Sequence, residues 1–394
     1  MNLRRRTLTG IGIGLAAAGT TAAAKIVADR LARALQTARE LDSLDTYEEE
    51  ASAQIVVLAD DGVPLHVEVD EPDVRPAGLA KDEPVPTVVF CHGYCLSLRS
   101  WVFQRRALRA AGYRVVLWDQ RGHGLSGAGS TESYEIDQLG LDLHAVITAV
   151  APFGPLVLVG HSMGGMTLMS LAAHHPDLIR DRVIGVAFVA TSPGGISAVS
   201  WGLGKVLGKA VHRLGPFAVG QLAGRQGLVN SVRKAGREVE EYFVDLYSFA
   251  SPVPLSIVRL TADMIFKTRM EVISDFMETF DKHDKRDALE QFIGVETLVI
   301  NGVQDMLTPP EHSEEIVKLI PGAEHVLVND AGHVIMLEHG DVVSEQLLAL
   351  IGRAERAAAV QLDQRDKPRV RRTITDLAKR RRVKALEGRR RSAS

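Results

Sequence analysis

The pattern G-x-S-x-G occurs in this chain within Val159-Gly160-His161-Ser162-Met163-Gly164-Gly165. The apolar run Leu156 to Val159 precedes it and predicts a buried strand, and the helix-forming stretch Met166 to Ala173 follows it. A serine at such a junction is held on a tight turn with its hydroxyl exposed. Because strand and helix approach each other closely there, small residues are needed on both sides, and glycines supply them. The stretch therefore predicts a nucleophilic serine, Ser162.

The other two residue types that serine catalysis requires follow Ser162 in order. A serine nucleophile needs a base within hydrogen-bond reach and a group that orients the base. Asp305 lies in the loop after a predicted strand that begins at Leu298, and His333 comes just after a short apolar strand, Val326 to Val328. We therefore predict Ser162 as nucleophile, His333 as general base and Asp305 as the acid that orients it.

Two more motifs lie upstream in matching order. Val88 to Gly93 is a strand that ends in a His-Gly pair, and Trp118 to Ser126 carries the pattern D-x-R-G-H-G-x-S. With these motifs the chain resembles the α/β-hydrolase family, in its serine esterase or lipase-like branch, over roughly 54–352. The resemblance implies a mostly parallel, eight-stranded sheet with helices on both faces. It also implies an oxyanion hole built from the main-chain N–H groups of Met163 and Tyr94.

The order of predicted elements divides the chain into five parts. A signal or anchor and a helix occupy 1–50. A first part of the hydrolase core, 51–191, begins with a hairpin and then alternates apolar strands with helices, which favours a parallel sheet covered on both faces. The rhythm breaks at 192–294, which we interpret as a helical cap inserted after the sixth strand. It resumes at 295–353, and a basic tail, 354–394, closes the chain.

Composition bounds the remaining possibilities. The net charge is −3, yet the stretch from Arg353 to Ser394 holds 15 Lys and Arg against 5 Asp and Glu, so the rest of the chain is acidic. Without aromatic residues or a reader motif in this tail, nucleic-acid binding is not expected. Attraction of the tail to anionic lipid headgroups is the alternative to a solvated tail.

The N-terminus predicts contact with a membrane. Arg4-Arg5-Arg6 precedes a weakly apolar stretch that ends at Ala22-Ala23-Ala24, an arrangement typical of a twin-arginine export signal. An uncleaved anchor or an ordinary helix is the competing interpretation. We expect an exported or membrane-associated protein, with a cytoplasmic location as the alternative.

Several other residues near the motifs could carry chemical roles. Asp119 is interpreted as part of a structural turn, and His161 as a residue that packs or bonds locally. His339 is the alternative base, expected at the surface. Cys91 and Cys95 are interpreted as packing residues, with a redox or metal role as the alternative. The proposed chemistry needs no cofactor and no metal.

The predicted activity is hydrolysis of carboxylic esters through an acyl-enzyme. The apolar cap, including Trp201 and Phe217 as substrate contacts, favours apolar or lipid-like small-molecule esters. The same triad would also serve an acyltransferase, a cofactor-free haloperoxidase-like enzyme or a small-peptide aminopeptidase. A hydrolase-like scaffold that only binds a ligand is the alternative from another class. The aspartate-nucleophile branches of the fold are excluded because a serine occupies the nucleophile position.

Overall fold

The computed structural model describes residues 45–72, 74–77, 84–195, 244–245, 247–359 and 370–374. The strands there are β1 (Ala53–Leu58), β2 (Pro64–Asp70), β3 (Thr87–Cys91), β4 (Arg114–Trp118), β5 (Leu156–His161), β6 (Val183–Val189), β7 (Glu296–Gly302), β8 (Glu324–Val328) and β9 (Val370–Ile374). The α-helices there are α1 (Val102–Ala110), α2 (Ile136–Val150), α3 (Met163–His174), α4 (Pro176–Arg182), α5 (Leu255–Lys267), α6 (Met270–Lys282), α7 (Pro310–Leu319), α8 (Ile335–Glu338) and α9 (Gly340–Ala359). Short 3-10 helices are Leu98–Trp101, Thr131–Ser133 and Asp287–Phe292.

These strands form one mostly parallel sheet. Their spatial order is β1-β2-β4-β3-β5-β6-β7-β8-β9. β1 and β2 pair antiparallel, as do β2 and β4, whereas every pairing from β4 to β9 is parallel. In a parallel sheet all carboxyl ends lie at one edge, and that is where ligand sites form in such folds. The predicted fold class is confirmed.

Both faces of the sheet are covered, and the central strands, which are mostly apolar, are buried at nearly every position. In β3, Val88 and Phe90 enter one core, and Val89 and Cys91 enter the other. Helices α1 and α9 contribute to the first core, and α2, α3 and α7 contribute to the second. A strand that is apolar on both faces gains stability only when both are removed from water, at about 25 cal/mol per Å² of apolar surface. The apolar runs that predicted the parallel sheet thus contribute side chains to the cores on both faces of the sheet.

The sheet has nine described strands, one more than the eight predicted. β9 lies within the predicted basic tail and pairs in parallel with β8, from Glu324 opposite Val370 to Val328 opposite Ile374. Its arginines are paired with carboxylates, Arg372 with Glu324 and Arg371 with Glu314. A five-residue segment with two adjacent arginines carries little strand signal of its own. Here the ladder of β8 and the facing carboxylates supply what the local sequence lacks.

The segment predicted as a cap lies between β6 and β7. Its described part contains α5, α6 and the 3-10 helix Asp287–Phe292. The two ends of the segment are hydrogen bonded to each other, because the Lys285 N–H donates to Pro193 O at 2.7 Å. At the start of the segment, the ring of His312 in α7 lies 2.8 Å from Ser192 Oγ. The described part of the insertion is therefore helical and anchored at its base to the sheet.

Some sequence predictions lie outside the described residues. These are the N-terminal signal or anchor up to residue 44, residues 196–243 of the predicted cap, and most of the basic tail. Among the residues that the structure does describe, no helix has the length and apolar character needed to cross a membrane.

Truncation before β9 is expected to lower the free energy of unfolding. Ending the chain after Ala359 removes the strand that pairs with β8 and the arginine partner of Glu324. We expect a loss of about 1–3 kcal/mol, the size usual for removal of several main-chain hydrogen bonds and an ion pair. Urea unfolding measures it, with a chain ending after Ile374 as the control, since that chain keeps β9 and loses only the residues beyond it. Equal stability of the two truncated chains would contradict the assigned role of β9.

Candidate active site

Ser162 lies at the turn between β5 and α3. Its backbone φ is 50° and its ψ is −119°, a conformation that residues with a side chain rarely adopt. Such strain costs about 1–3 kcal/mol and persists only where the surrounding structure holds it. Here the Ser162 N–H donates to Val189 O at 3.0 Å, and the Thr191 hydroxyl donates to Ser162 O at 2.6 Å. The end of β6 thus fixes the serine backbone from both sides of its turn.

The turn is possible because glycines flank the serine. A Cβ atom at Gly160 would lie 2.5 Å from Gly164 O, and one at Gly164 would lie 2.2 Å from Cys91 O. Both distances are shorter than any packing contact, and the atoms that would be struck belong to the backbone. Helix α3 therefore passes close to both β5 and the end of β3, which is the arrangement that the G-x-S-x-G pattern predicts.

Asp305 and His333 form a buried hydrogen-bonded pair. His333 Nδ1 donates to Asp305 Oδ2 at 2.9 Å, and the aspartate accepts three further hydrogen bonds. These come from Leu307 N–H (2.8 Å), Thr308 N–H (3.0 Å) and the Thr308 hydroxyl (2.9 Å). These donors hold the carboxylate in place. A carboxylate oxygen accepts, so the tautomer inferred for His333 has its proton on Nδ1. Nε2 is then left with the lone pair that a general base needs.

His161 ties the histidine loop to the serine turn. Its Nε2 donates to His333 O at 2.9 Å, and the two imidazole rings have centroids 4.8 Å apart. Complete burial and the neighbouring His333 hold the pKa of His161 well below the usual range. His161 is therefore neutral and engaged with main chain, as the sequence analysis expected, and it places the loop of His333 directly against the residue before Ser162.

The loop after β3 lies against the same serine. A Cβ atom at Gly93 would be 2.5 Å from His161 Nδ1 and 3.3 Å from Ser162 Cβ. Tyr94 follows Gly93, so its main chain passes beside the serine turn. Met163 is the first residue of α3, and a main-chain N–H in the first turn of a helix has no partner within that helix. The two N–H groups predicted for the oxyanion hole thus belong to segments that flank Ser162.

Two buried histidines, each with a neutral ring that accepts a main-chain N–H, fix the loop after β3. His92 Nε2 accepts the Gln120 N–H at 2.9 Å, and His123 Nε2 accepts the Cys95 N–H at 3.1 Å. Burial and the proximity of His123 lower the pKa of His92 to about 3, and burial lowers that of His123 to about 4. A protonated ring could not accept these bonds. The loop therefore depends on both imidazoles staying uncharged.

An apolar wall covers the start of α3. Helix α6 contributes buried Phe276 and Phe280, which pack in one cluster with Met163 and Met166. The Tyr94 ring packs against this cluster, with its centroid 5.1 Å from that of Phe280, and its hydroxyl donates to Ile273 O at 2.5 Å. Helix α6 thus lies over the start of α3 and presents mainly hydrocarbon to it. Trp201 and Phe217, predicted as substrate contacts, lie outside the described residues.

His339 is buried, contrary to the expectation that it faces the surface. It is 1% exposed, and its Nε2 donates to Asp330 O at 2.6 Å. The junction of α8 and α9 packs against α1, where a Cβ at Gly340 would lie 2.5 Å from Phe103, and this packing carries His339 into the interior. Its ring is engaged with a main-chain carbonyl and is not available as the alternative base.

The Asp119 side chain stabilises the turn after β4, in agreement with the sequence analysis. Its two carboxylate oxygens accept the N–H groups of Leu98 (2.8 Å) and Leu125 (2.9 Å). Burial raises its pKa to about 6. Asp119 also lines a cavity of about 370 Å³, to which neither Ser162 nor the His333–Asp305 pair contributes. That cavity is therefore separate from the serine turn and its partners.

Both cysteines are free thiols. Burial raises the pKa of each to about 12, and the Trp118 indole N–H lies 3.4 Å from the Cys91 sulfur. A thiol with so high a pKa is a poor nucleophile and a poor ligand. Within the described ranges, no group of three or more His, Cys, Asp or Glu side chains is arranged to hold a metal ion.

Thr308 is a site residue that sequence reasoning missed. It donates to Asp305 through both its main chain and its hydroxyl, and its Oγ1 lies 3.3 Å from His333 Nδ1. The signal was present: an aspartate whose side chain accepts N–H groups two and three residues later forms a local turn, and a threonine at the third position can add its hydroxyl.

Comparisons with known proteins agree with the fold. The family model described as alpha/beta hydrolase fold matches residues 86–340. The chain is 26% identical over 268 residues to the sn-1-specific diacylglycerol lipase ABHD11 of Mus musculus, and the match covers 66% of this chain and 81% of that protein. It is 27% identical over 241 residues to Lipase 3 of Moraxella sp. (strain TA144), covering 60% of this chain and 68% of that protein. The esterase EaEST from Exiguobacterium antarcticum shares the fold, with a TM-score of 0.57 and 18% identity over 76% of this chain and 100% of its own.

Acidification is expected to destabilise the fold through His92 and His123. Their folded-state pKa values of about 3 and about 4 lie below the value of 6.5 for an unperturbed histidine. Below pH 6.5 the unfolded chain therefore binds more protons than the folded one. The free energy of unfolding then falls with pH toward the folded pKa values, by up to about 1.4 kcal/mol per pH unit for each histidine. Urea unfolding at a series of pH values between 7 and 4 measures this loss.

His123→Gln is the matched variant for that measurement. A glutamine oxygen can accept the Cys95 N–H but does not titrate, so the variant should lose less stability than the wild type between pH 6.5 and 4. Identical slopes for the two proteins would show that His123 does not carry the effect.

Proposed function

We propose that this chain, which belongs to the α/β-hydrolase fold family, is a serine hydrolase that cleaves carboxylic esters through an acyl-enzyme. The family match confirms the predicted family, and relatives named as lipases agree with the prediction of an enzyme with hydrolase activity. The observation that carries the proposal is the hydrogen bond of 2.9 Å between His333 Nδ1 and Asp305 Oδ2. The loop that carries His333 also contacts the serine turn, through the hydrogen bond from His161 to His333 O.

In the first half-reaction Ser162 Oγ attacks the ester carbonyl carbon. His333 Nε2 takes the serine proton, while Asp305 keeps Nδ1 protonated and stabilises the imidazolium. The carbonyl oxygen becomes an oxyanion and accepts hydrogen bonds from the main-chain N–H groups of Met163 and Tyr94. Each such donor contributes roughly 3 kcal/mol in the transition state. The intermediate collapses when His333 returns the proton to the leaving alkoxide, which departs as the alcohol.

In the second half-reaction water replaces the alcohol. His333 removes a proton from water, the resulting hydroxide adds to the acyl carbon, and the same two N–H groups hold the oxyanion. Collapse breaks the bond to Ser162 Oγ, which recovers its proton from His333. The acid product leaves and the enzyme returns to its starting state, so no cofactor enters the balance.

The apolar wall supports an apolar substrate. Met163, Met166, Phe276 and Phe280 form a buried apolar cluster at the start of α3, next to Ser162. One relative is named as a diacylglycerol lipase and another as a lipase. We propose fatty-acyl esters of small alcohols as the substrate class, and Trp201 and Phe217 as further contacts of the same kind.

Ser162→Ala is expected to abolish ester hydrolysis without unfolding the protein. The substitution removes the nucleophile only, so the loss of kcat should reach on the order of 10⁶-fold and leave the background rate of the assay. A panel of p-nitrophenyl esters from acetate to palmitate, with wild type and variant side by side, measures both the activity and the preferred chain length. Wild-type protein that cleaves none of these esters would count against the proposal.

Asp305→Asn is expected to lower kcat by about 10⁴-fold, because an asparagine amide can donate to Nδ1 and thereby favour the wrong tautomer of His333. KM should change much less than kcat. Thr308→Val is the milder companion, since it removes one hydroxyl donor to the same carboxylate. A kcat within threefold of wild type in Asp305→Asn would rule out this aspartate as the orienting acid.

A further inference from the structure

Glu338 is a buried carboxylate that the mechanism above does not use. It is the last residue of α8, and its side chain is 0% exposed. Its Oε1 accepts the main-chain N–H groups of Ala250 (2.9 Å) and Ser251 (2.5 Å), and its Oε2 accepts the N–H of Gly332 (2.6 Å). Charged acceptors with several N–H donors make short, strong hydrogen bonds. The carboxylate thus joins two segments that are far apart in sequence.

Main-chain donors, rather than a cationic side chain, hold Glu338 within the described part of the chain. The ring of His339 is 3.8 Å away, and its Nε2 donates to Asp330 O. Asp245 is near enough that burial and the charge of Glu338 raise its pKa to about 6. Burying a carboxylate in this setting is costly, and the three main-chain donors offset that cost. The arrangement therefore depends on all three N–H groups staying in place.

One of the two segments joined by Glu338 belongs to the predicted cap, and the other belongs to the loop that carries His333. Ala250 and Ser251 lie just before α5, which leads into α6, the helix that packs on the start of α3. Gly332 immediately precedes His333. The same segments also contact directly: the Val334 N–H donates to Ser248 O at 2.9 Å, and a Cβ at Gly332 would lie 2.7 Å from that oxygen. This part of the insertion therefore contacts the histidine loop directly.

We propose that Glu338 is a positioning residue that couples the placement of the cap helices to that of His333. This inference rests on the proposed function in one respect, the role of His333 as base. A displacement of 250–251 moves the carboxylate, and the carboxylate carries Gly332 and the ring that follows it. A substrate that seats the cap correctly thereby aligns the base with Ser162, and a poorly seated substrate leaves it misaligned.

Glu338→Gln tests this coupling. The amide has one oxygen and one NH₂ group, so it cannot accept at both positions, and one of the two segments must face a donor in place of an acceptor. We expect kcat to fall about tenfold to a hundredfold, the usual cost of misplacing a catalytic group by about 1 Å, with a smaller change in KM. Amide hydrogen exchange should accelerate both in 248–251 and in 332–334.

Glu324→Gln is the control. Glu324 is also a buried carboxylate and is held by Arg353 and Arg372, away from both segments. It should lower Tm while leaving kcat and the exchange of the two segments unchanged. If Glu338→Gln behaves in the same way, or accelerates exchange in one segment alone, Glu338 is a structural residue and the coupling is wrong.

A second variant and a readout that does not depend on ester hydrolysis complete the test. Should Glu338→Gln fail to fold, Glu338→Asp replaces it, because the shorter side chain keeps the charge but cannot reach both segments; unchanged kcat and exchange in that variant would overturn the proposal. Should the wild type cleave no ester, the proposed function fails, yet the paired exchange of 248–251 and 332–334 still shows whether Glu338 joins them.

Discussion

The close passage of α3 over the end of β5 is the constraint on which the site depends. Ser162 keeps a positive φ because Gly160 and Gly164 let backbone meet backbone there, and because the end of β6 hydrogen bonds to the serine on both sides. A side chain within α3 points back along the helix toward its N-terminus. The turn instead presents the hydroxyl at the carboxyl edge of the sheet, with a helix N-terminus beside it.

The parallel sheet gathers the remaining groups at that edge. Asp305 and His333 follow β7 and β8, Tyr94 follows β3, and the insertion leaves the sheet after β6, so each segment meets the serine turn without any long excursion of the chain. Hydrogen bonds between buried imidazoles and main-chain groups then join the neighbouring loops. His92, His123 and His161 all act as neutral groups bonded to main chain. His333, with its carboxylate partner, is the imidazole that we propose for proton transfer.

The sequence predicted the features that are encoded locally. Apolar runs and the motif around Ser162 predicted the parallel sheet, the turn and the order of the loops. Features created by tertiary contact were missed. β9 forms because β8 offers a ladder and carboxylates to an arginine-rich segment, and His339 is buried because the α8–α9 junction packs on α1. Glu338 is one carboxylate among many in the sequence, and its significance arises only from the three N–H groups that converge on it.

Covalent labelling of the intact protein by a fluorophosphonate probe tests the central claim most directly. Such a probe reacts with a serine only when a base activates it and an oxyanion hole stabilises the addition. We predict stoichiometric labelling, with peptide mass spectrometry placing the adduct on Ser162 and no adduct forming in His333→Ala. A folded protein that stays unlabelled, or that carries the adduct on another residue, would contradict the account.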